Sequence, residues 1–121
     1  MTKEAALYQF WSSFGLTAYE ENSVPAQAAF PYISYEVITD SFGAQIGLTA
    51  SIWYHTDSWI PLNAKAQEIA DVLSNTGLTI PCDDGALWLQ RGQPWAQSMT
   101  ETDQSIKRKY LNITAEFLTE T

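Results

Sequence analysis

The chain is short of the residues that bind phosphate and of those that do chemistry. It has six Lys and Arg side chains against fourteen Asp and Glu over 121 residues, a formal net charge of −8. Nucleic-acid affinity comes mostly from cations that displace counterions, so this balance argues against a phosphate-binding surface. Its single cysteine, Cys82, permits no internal disulfide, which fits a reducing compartment and excludes a disulfide-framed scaffold. No window approaches the roughly 18 consecutive apolar residues of a membrane span. No basic N-terminal region precedes an apolar stretch, which predicts no signal peptide. What is present is apolar and aromatic: 45% hydrophobic residues, with five Trp, six Tyr and five Phe. That is too apolar for a disordered chain. The length predicts one domain over residues 1–121, burying roughly two thirds of its unfolded surface.

Periodicity places the elements. Leu7, Phe10, Trp11 and Phe14 recur at i, i+3, i+4 and i+7, which predicts a helix over Glu4–Phe14. Thr2 is placed to cap it and Gly15 to end it. From Thr17 to Pro31 there is no period, and Pro25 and Pro31 mark a loop. Ile33–Thr39 is β-branched and aromatic and reads as a strand. Asp40-Ser41-Phe42-Gly43 is a turn, because Gly43 accepts positive φ. Ile46, Leu48, Ala50, Ile52 and Tyr54 then alternate with Gln45, Gly47, Thr49, Ser51, Trp53 and His55, predicting a hairpin. Pro61 suits a first helical turn, and Leu62, Ala66, Ile69, Ala70 and Leu73 give a second amphipathic helix, ended by Asn75-Thr76-Gly77. A short apolar run, Leu78–Ile80, and a tight turn at Asp83-Asp84-Gly85 follow. Leu87 and Leu89 alternate with Trp88 and Gln90, Trp95–Met99 reads as a short edge strand, and the last strand starts near Ile106 with Leu111, Ile113, Ala115 and Phe117 inward. The order predicts an α+β fold: an antiparallel sheet of four to five strands with two helices packed on one face.

A search for chemistry finds no catalytic constellation. The one histidine, His55, stands in His55-Thr56-Asp57-Ser58, but neighbours along a strand end point to opposite faces and cannot form a relay. Cys82 has acidic neighbours, which raise a thiol pKa rather than activate it. One His and one Cys make a zinc site improbable, and Asp83-Asp84-Gly85 lacks calcium-loop spacing. Gly43-Ala44-Gln45-Ile46-Gly47 resembles no phosphate loop. The expectation is no enzyme activity, no metal and no cofactor.

Two features remain. The inward faces are already supplied by Leu, Ile, Val, Phe and Ala, yet Trp53 and Trp88 fall on the alternate face, and Trp59 and Trp95 lie in or near loops. An exposed face with several tryptophans is an association surface, unless a second layer of the chain covers it. Charge is also uneven. Residues 1–105 hold three basic side chains, Lys3, Lys65 and Arg91, against twelve acidic ones, and then Lys107, Arg108 and Lys109 arrive together. Such a cluster is either a solvated strand start or a contact for an acidic loop of a neighbouring copy, Asp83-Asp84 or Glu101–Asp103. Contacts between unlike surfaces build closed rings. The candidate interface residues are therefore Trp53, Trp59, Trp88, Arg91, Trp95, Lys107, Arg108 and Lys109.

With that order of elements, the sequence resembles the tail terminator or tail-completion (head–tail joining) proteins of tailed bacteriophages. The resemblance covers most of the chain. It rests on the N-terminal helix, on Phe30-Pro31-Tyr32-Ile33-Ser34-Tyr35-Glu36-Val37 entering a strand, and on the hairpin strand ending Ile52-Trp53-Tyr54. The helix Asn63–Leu73 and the closing strand Lys109–Phe117 complete it. The resemblance implies a virion protein, assembled in the host cytoplasm, that forms a ring, typically a hexamer, on the head-proximal end of the tail tube. There it would stop tube polymerisation and meet the tail-tube protein and a head connector, while DNA passes without specific binding. Acidic residues suit such a conduit, because carboxylates repel phosphates; Glu20, Glu21, Asp40, Asp83 and Asp84 are the candidates for its lumen or rim. Other neck or tail-tube proteins, and a small non-catalytic binding module with Trp53, Trp88 and Trp95 in one pocket, are the alternatives.

Overall fold

A computed structural model describes residues 1–37 and 45–119. The predicted turn at residues 40–43, the strand end Ile38–Thr39 and the candidate lumen residue Asp40 lie outside the described residues. Two helices, α1 (Lys3–Ser12) and α2 (Ile60–Leu73), accompany six strands: β1 (Thr17–Glu20), β2 (Tyr32–Tyr35), β3 (Gln45–His55), β4 (Leu78–Cys82), β5 (Gly85–Met99) and β6 (Ile106–Thr119). The strands form one sheet in the order β1-β2-β3-β6-β5-β4.

The expected sheet is thus corrected in two respects. It has six strands, not four to five, and it is mixed, because β1 runs parallel to β2 while every other pair is antiparallel. A four-residue strand is too short to show alternation, so β1 hid in the aperiodic stretch. That stretch has a purpose: antiparallel strands can join by a tight turn, whereas a parallel neighbour needs a long return, supplied here by residues 21–31. The run at Leu78–Ile80 is the edge strand β4, closed by Pro81, which has no donor to offer an outside strand. The two strands predicted around Leu87–Leu89 and Trp95–Met99 are one strand, β5. Its register on β6 shifts between Arg91, opposite Ile113, and Ala96, opposite Leu111. The Asn112 amide donates to the Pro94 carbonyl at 3.0 Å across this bulge.

Both helices lie on the face of Ile33, Leu48, Ile52, Leu89, Leu111 and Ile113, all at most 2% exposed. Thr2 caps α1 as predicted, its hydroxyl accepting from the Ala5 amide at 3.1 Å, and Leu7, Phe10 and Trp11 are buried. On α2 the buried residues are Leu62, Ala66, Ile69, Ala70 and Leu73, with Pro61 in the first turn. α2 covers β3, β6 and β5, whereas α1 touches the two outermost strands, β1 and β4. A helix reaching both edges while its partner covers the middle requires the sheet to wrap around the helical layer. Two cations close the helix ends. Lys65 donates to the Phe14 carbonyl at 2.8 Å, and the Arg91 Nε donates to the Ala70 carbonyl at 3.0 Å. Positive charge there offsets the negative end of each helix.

Among the described residues two glycines adopt positive φ, Gly15 at +79° and Gly77 at +87°, and they separate backbone strain from crowding. A Cβ on Gly15 meets nothing within 4 Å, whereas on Gly77 it falls 2.4 Å from Trp88 Nε1 and 2.9 Å from the Leu89 carbonyl oxygen. Gly15→Ala is expected to cost about 1–2 kcal/mol, for the left-handed conformation alone. Gly77→Ala carries that cost plus about 1–3 kcal/mol of overpacking. Denaturant unfolding of both variants checks the ordering, and equal midpoints would reject it.

Candidate assembly surface

Among the described residues, neither α1 nor α2 lies on the second face of the sheet. Pairing register puts Tyr19 of β1, Tyr32 and Ser34 of β2, Ser51 and Trp53 of β3, and Arg108 and Tyr110 of β6 on it. Their side chains form a continuous row across four strands. Tyr19 meets Tyr32 edge-on at 5.8 Å, and Tyr32 stacks on Trp53 at 6.0 Å and 17°. The Arg108 guanidinium lies 4.9 Å from the Trp53 ring and 5.2 Å from the Tyr110 ring. Each such pair contributes roughly 0.5–1.5 kcal/mol beyond area burial.

Polar groups set the geometry of this row. The Trp53 indole donates to Ser34 Oγ and the Arg108 Nε to Ser51 Oγ, both at 2.9 Å. Those serines are only 9% and 4% exposed, so the large side chains cover them and satisfy them at once. Glu101 approaches Arg108 Nη1 at 3.7 Å. Burial first, then Tyr19 and Glu101, push the Tyr32 hydroxyl above its usual 10.0, so it stays protonated at neutral pH. Phe30, 37% exposed, flanks the row beside Tyr32, 5.4 Å from the Tyr32 ring and 6.0 Å from that of His55. The rings are half-buried against one another and leave edges free, which suits a surface that docks without unfolding its own layer.

The predicted interface residues are scattered over this architecture. Trp53 lies in the row, but Trp88 pairs with Glu116 at the other end of the same face. Eight residues of β6 separate Arg108 from Glu116, about 26 Å of strand. Trp88 donates its indole N–H to the Thr76 carbonyl at 3.2 Å, and Trp95 packs against the core cluster. Trp53, Trp88 and Trp95 therefore line no common pocket. Trp59 stands at the start of α2, with the Lys107 and Lys109 ammonium groups 5.6 and 5.9 Å from its ring. Arg91 turns to the end of α2. Of the acidic candidates, Glu20, Glu21, Asp83 and Asp84 are exposed. Asp83 holds the Met1 ammonium at 2.5 Å, and Asp84 sits at φ 64° in the β4–β5 turn.

Sequence reasoning missed Tyr19, Tyr32, Tyr110 and Phe30. The parity that put Trp53 on the alternate face also puts Tyr32 and Tyr110 there once the strands are registered, so that signal was present; β1 carried none. His55 finds its partner far along the chain: Ser105 Oγ lies 3.3 Å from His55 Nε2 and donates to Asp103 at 2.6 Å. A nucleophilic relay needs the imidazole between acid and hydroxyl, and here the hydroxyl stands between the other two. Burial first, then Asp83, push the Cys82 thiol above its usual 9.0, away from thiolate chemistry. No group of three or more His, Cys, Asp or Glu side chains placed to hold a metal occurs among the described residues. Among them too, no helix is long and apolar enough to cross a membrane.

Asp103 provides a direct electrostatic check. The Ser105 hydroxyl first, then the Ser105 amide, hold its carboxyl below the usual 3.8. A depressed carboxyl contributes stability above its unfolded pKa, and that contribution disappears as pH falls through the folded value. Ser105→Ala removes the hydroxyl and leaves the amide, so the Asp103 pKa should rise part of the way back. A carboxyl-detected NMR titration reads this, and an unchanged pKa would reject the assignment.

This fold, a curled mixed sheet with both helices on one side, recurs in a known assembly. A chain of the solved structure described as the virion of native gene transfer agent (GTA) particle superimposes with a TM-score of 0.68, covering 96% of this chain and 94% of that one. Sequence identity is 19%, so the likeness is one of fold. No protein-family profile matches the chain, and neither does any curated protein sequence.

Proposed function

We propose that the protein is a structural component of a phage-type virion: a ring-forming tail terminator or tail-completion protein. In this reading it caps the head-proximal end of the tail tube, stops tube growth and offers the head connector a docking surface. DNA passes through its channel, and the protein catalyses no reaction. The observation that carries the reading is the likeness in fold to a chain of a gene transfer agent virion, over 96% of one chain and 94% of the other. The helix-free face from Tyr19 to Tyr110 supports it further, since a half-exposed aromatic row is costly for a solitary subunit. Exposed Glu20, Glu21, Asp83 and Asp84 suit a lumen or rim that repels DNA.

Native mass spectrometry and negative-stain electron microscopy test the reading, on the chain alone and mixed with its tail tube. Closed rings, free or seated on one end of each tube, are the expected result. A protein that stays monomeric and leaves tube length unchanged would reject the terminator role.

A further inference from the structure

Resting on that ring-forming reading, we infer that the ring contact joins the groove around Trp59, Ile60, Lys107 and Lys109 of one copy to the Glu20-Glu21 edge of the next. The groove lies where α2 begins beside the start of β6. It is lined by Trp59, Met99, Glu101, Ile106 and Lys107. Ile60, next to Trp59 in the chain, is 76% exposed, the most exposed large apolar side chain among the described residues. Lys107 and Lys109 alternate to the helix side of β6, away from Arg108, and both lean on Trp59. Lys107 donates to the Gln104 carbonyl, and Lys109 to Asn63 and Ser98. Neither has a carboxylate within ion-pair distance among the described residues. An ammonium has three donors, so both keep capacity for an incoming anion. In a chain of net charge −8, two adjacent lysines without a carboxylate beside an exposed isoleucine are a site prepared for an acidic partner.

Charge density selects the partner surface. Six of the described carboxylates are engaged within the subunit. Glu4, Asp57, Asp84 and Glu116, though without a cation within ion-pair distance, each lack a second unengaged carboxylate beside them in the chain. Glu101 is taken by Arg108, Asp103 by Ser105, Glu68 by Lys65 and Asp83 by the Met1 ammonium. Glu36 accepts from the Thr49 amide and Asp71 from Gln67. Glu20 and Glu21 are consecutive, exposed and without a cation within ion-pair distance among the described residues. They leave the outermost strand of the sheet, and Glu20 helps to push up the Tyr35 hydroxyl, behind burial and ahead of Tyr8, itself 53% exposed. The two surfaces lie on strands three places apart in the sheet, β1 and β6, so one copy does not satisfy both itself. A contact between unlike surfaces is heterologous, as a closed ring requires.

The test is a charge swap in the full chain, read by sedimentation and native mass spectrometry at low and high salt. Lys107→Glu with Lys109→Glu, and separately Glu20→Lys with Glu21→Lys, should each weaken assembly at least tenfold, and the quadruple variant should recover it. Raising salt should weaken the wild type as well, since the contact is charged. Ile60→Asp removes an exposed side chain only, so it should weaken assembly without moving the unfolding midpoint, which guards against a folding defect in the lysine variants. An assembling wild type whose double variants assemble equally well would overturn this contact and leave the ring reading intact. So would a quadruple variant as weak as the doubles. A wild type monomeric under every condition, tube ends included, would remove both.

Discussion

Replacing Trp11 by alanine is expected to destabilise the fold by about 3–5 kcal/mol, a large part of the roughly 5–15 kcal/mol that holds a domain of this kind together. Trp11 is 1% exposed. It stacks on Tyr35 at 6.3 Å and meets Phe10 edge-on at 4.8 Å, joining the first helix to β2. The site cannot collapse easily, because Phe10, Phe14 and Tyr35 are themselves buried and Phe10 and Phe14 hold each other edge-on at 5.2 Å. Truncation therefore loses both the transfer free energy of the indole and the contacts around the cavity left behind. Urea unfolding should show a lower midpoint with an unchanged slope. A loss under about 1 kcal/mol would mean that α1 repacks against the sheet freely, contrary to the reading of Trp11 as its anchor.

Replacing Trp53 by alanine should have the opposite balance. Docking of the helix-free face on a neighbouring virion protein, a surface separate from the ring contact inferred above, should be weakened about 30-fold or more, equivalent to about 2 kcal/mol, and folding only modestly affected. The ring is half-buried, between Tyr32 and Arg108 on the helix-free face. Its loss leaves Ser34 without the indole donor and Arg108 without one of its two rings, a folding cost of about 1–2 kcal/mol. Association measured beside denaturant unfolding separates the two terms. A midpoint that falls as far as that of Trp11→Ala, with association unchanged, would place Trp53 in its own subunit's packing and withdraw this face from docking.

The two tryptophans show how far pattern alone reaches. Trp11 belongs to a stripe at i, i+3, i+4 and i+7, and that spacing buries one side of a helix whatever the helix packs on. Trp53 was assigned to the alternate face of its strand for the same kind of reason, and the pairing of Ile52 with Ile33 and Lys109 agrees. Register was not legible. Which strands neighbour β3, and which residues stand opposite Trp53, depends on contacts dozens of residues away. The row from Tyr19 to Tyr110 was therefore invisible as a unit.

The basic trio makes the same point in miniature. Lys107, Arg108 and Lys109 read as one positive patch, but consecutive strand residues alternate sides. Arg108 turns to the aromatic face and takes Glu101, while the two lysines turn toward Trp59 and α2. A single cluster in sequence becomes two environments.

Local chemistry thus determined the two helices, the Thr2 cap of the first and the two-sided character of the long strands, because those depend on residues within a few positions of one another. Tertiary structure alone decided that β1 exists and runs parallel, that β5 bulges opposite Asn112, and that His55 meets Ser105. It also decided which charges are answered within the subunit and which are left for a neighbour. The physical reason is one of range. Periodicity and capping act over a turn or two of chain, whereas sheet order and charge pairing are fixed only when distant segments compete for the same partners.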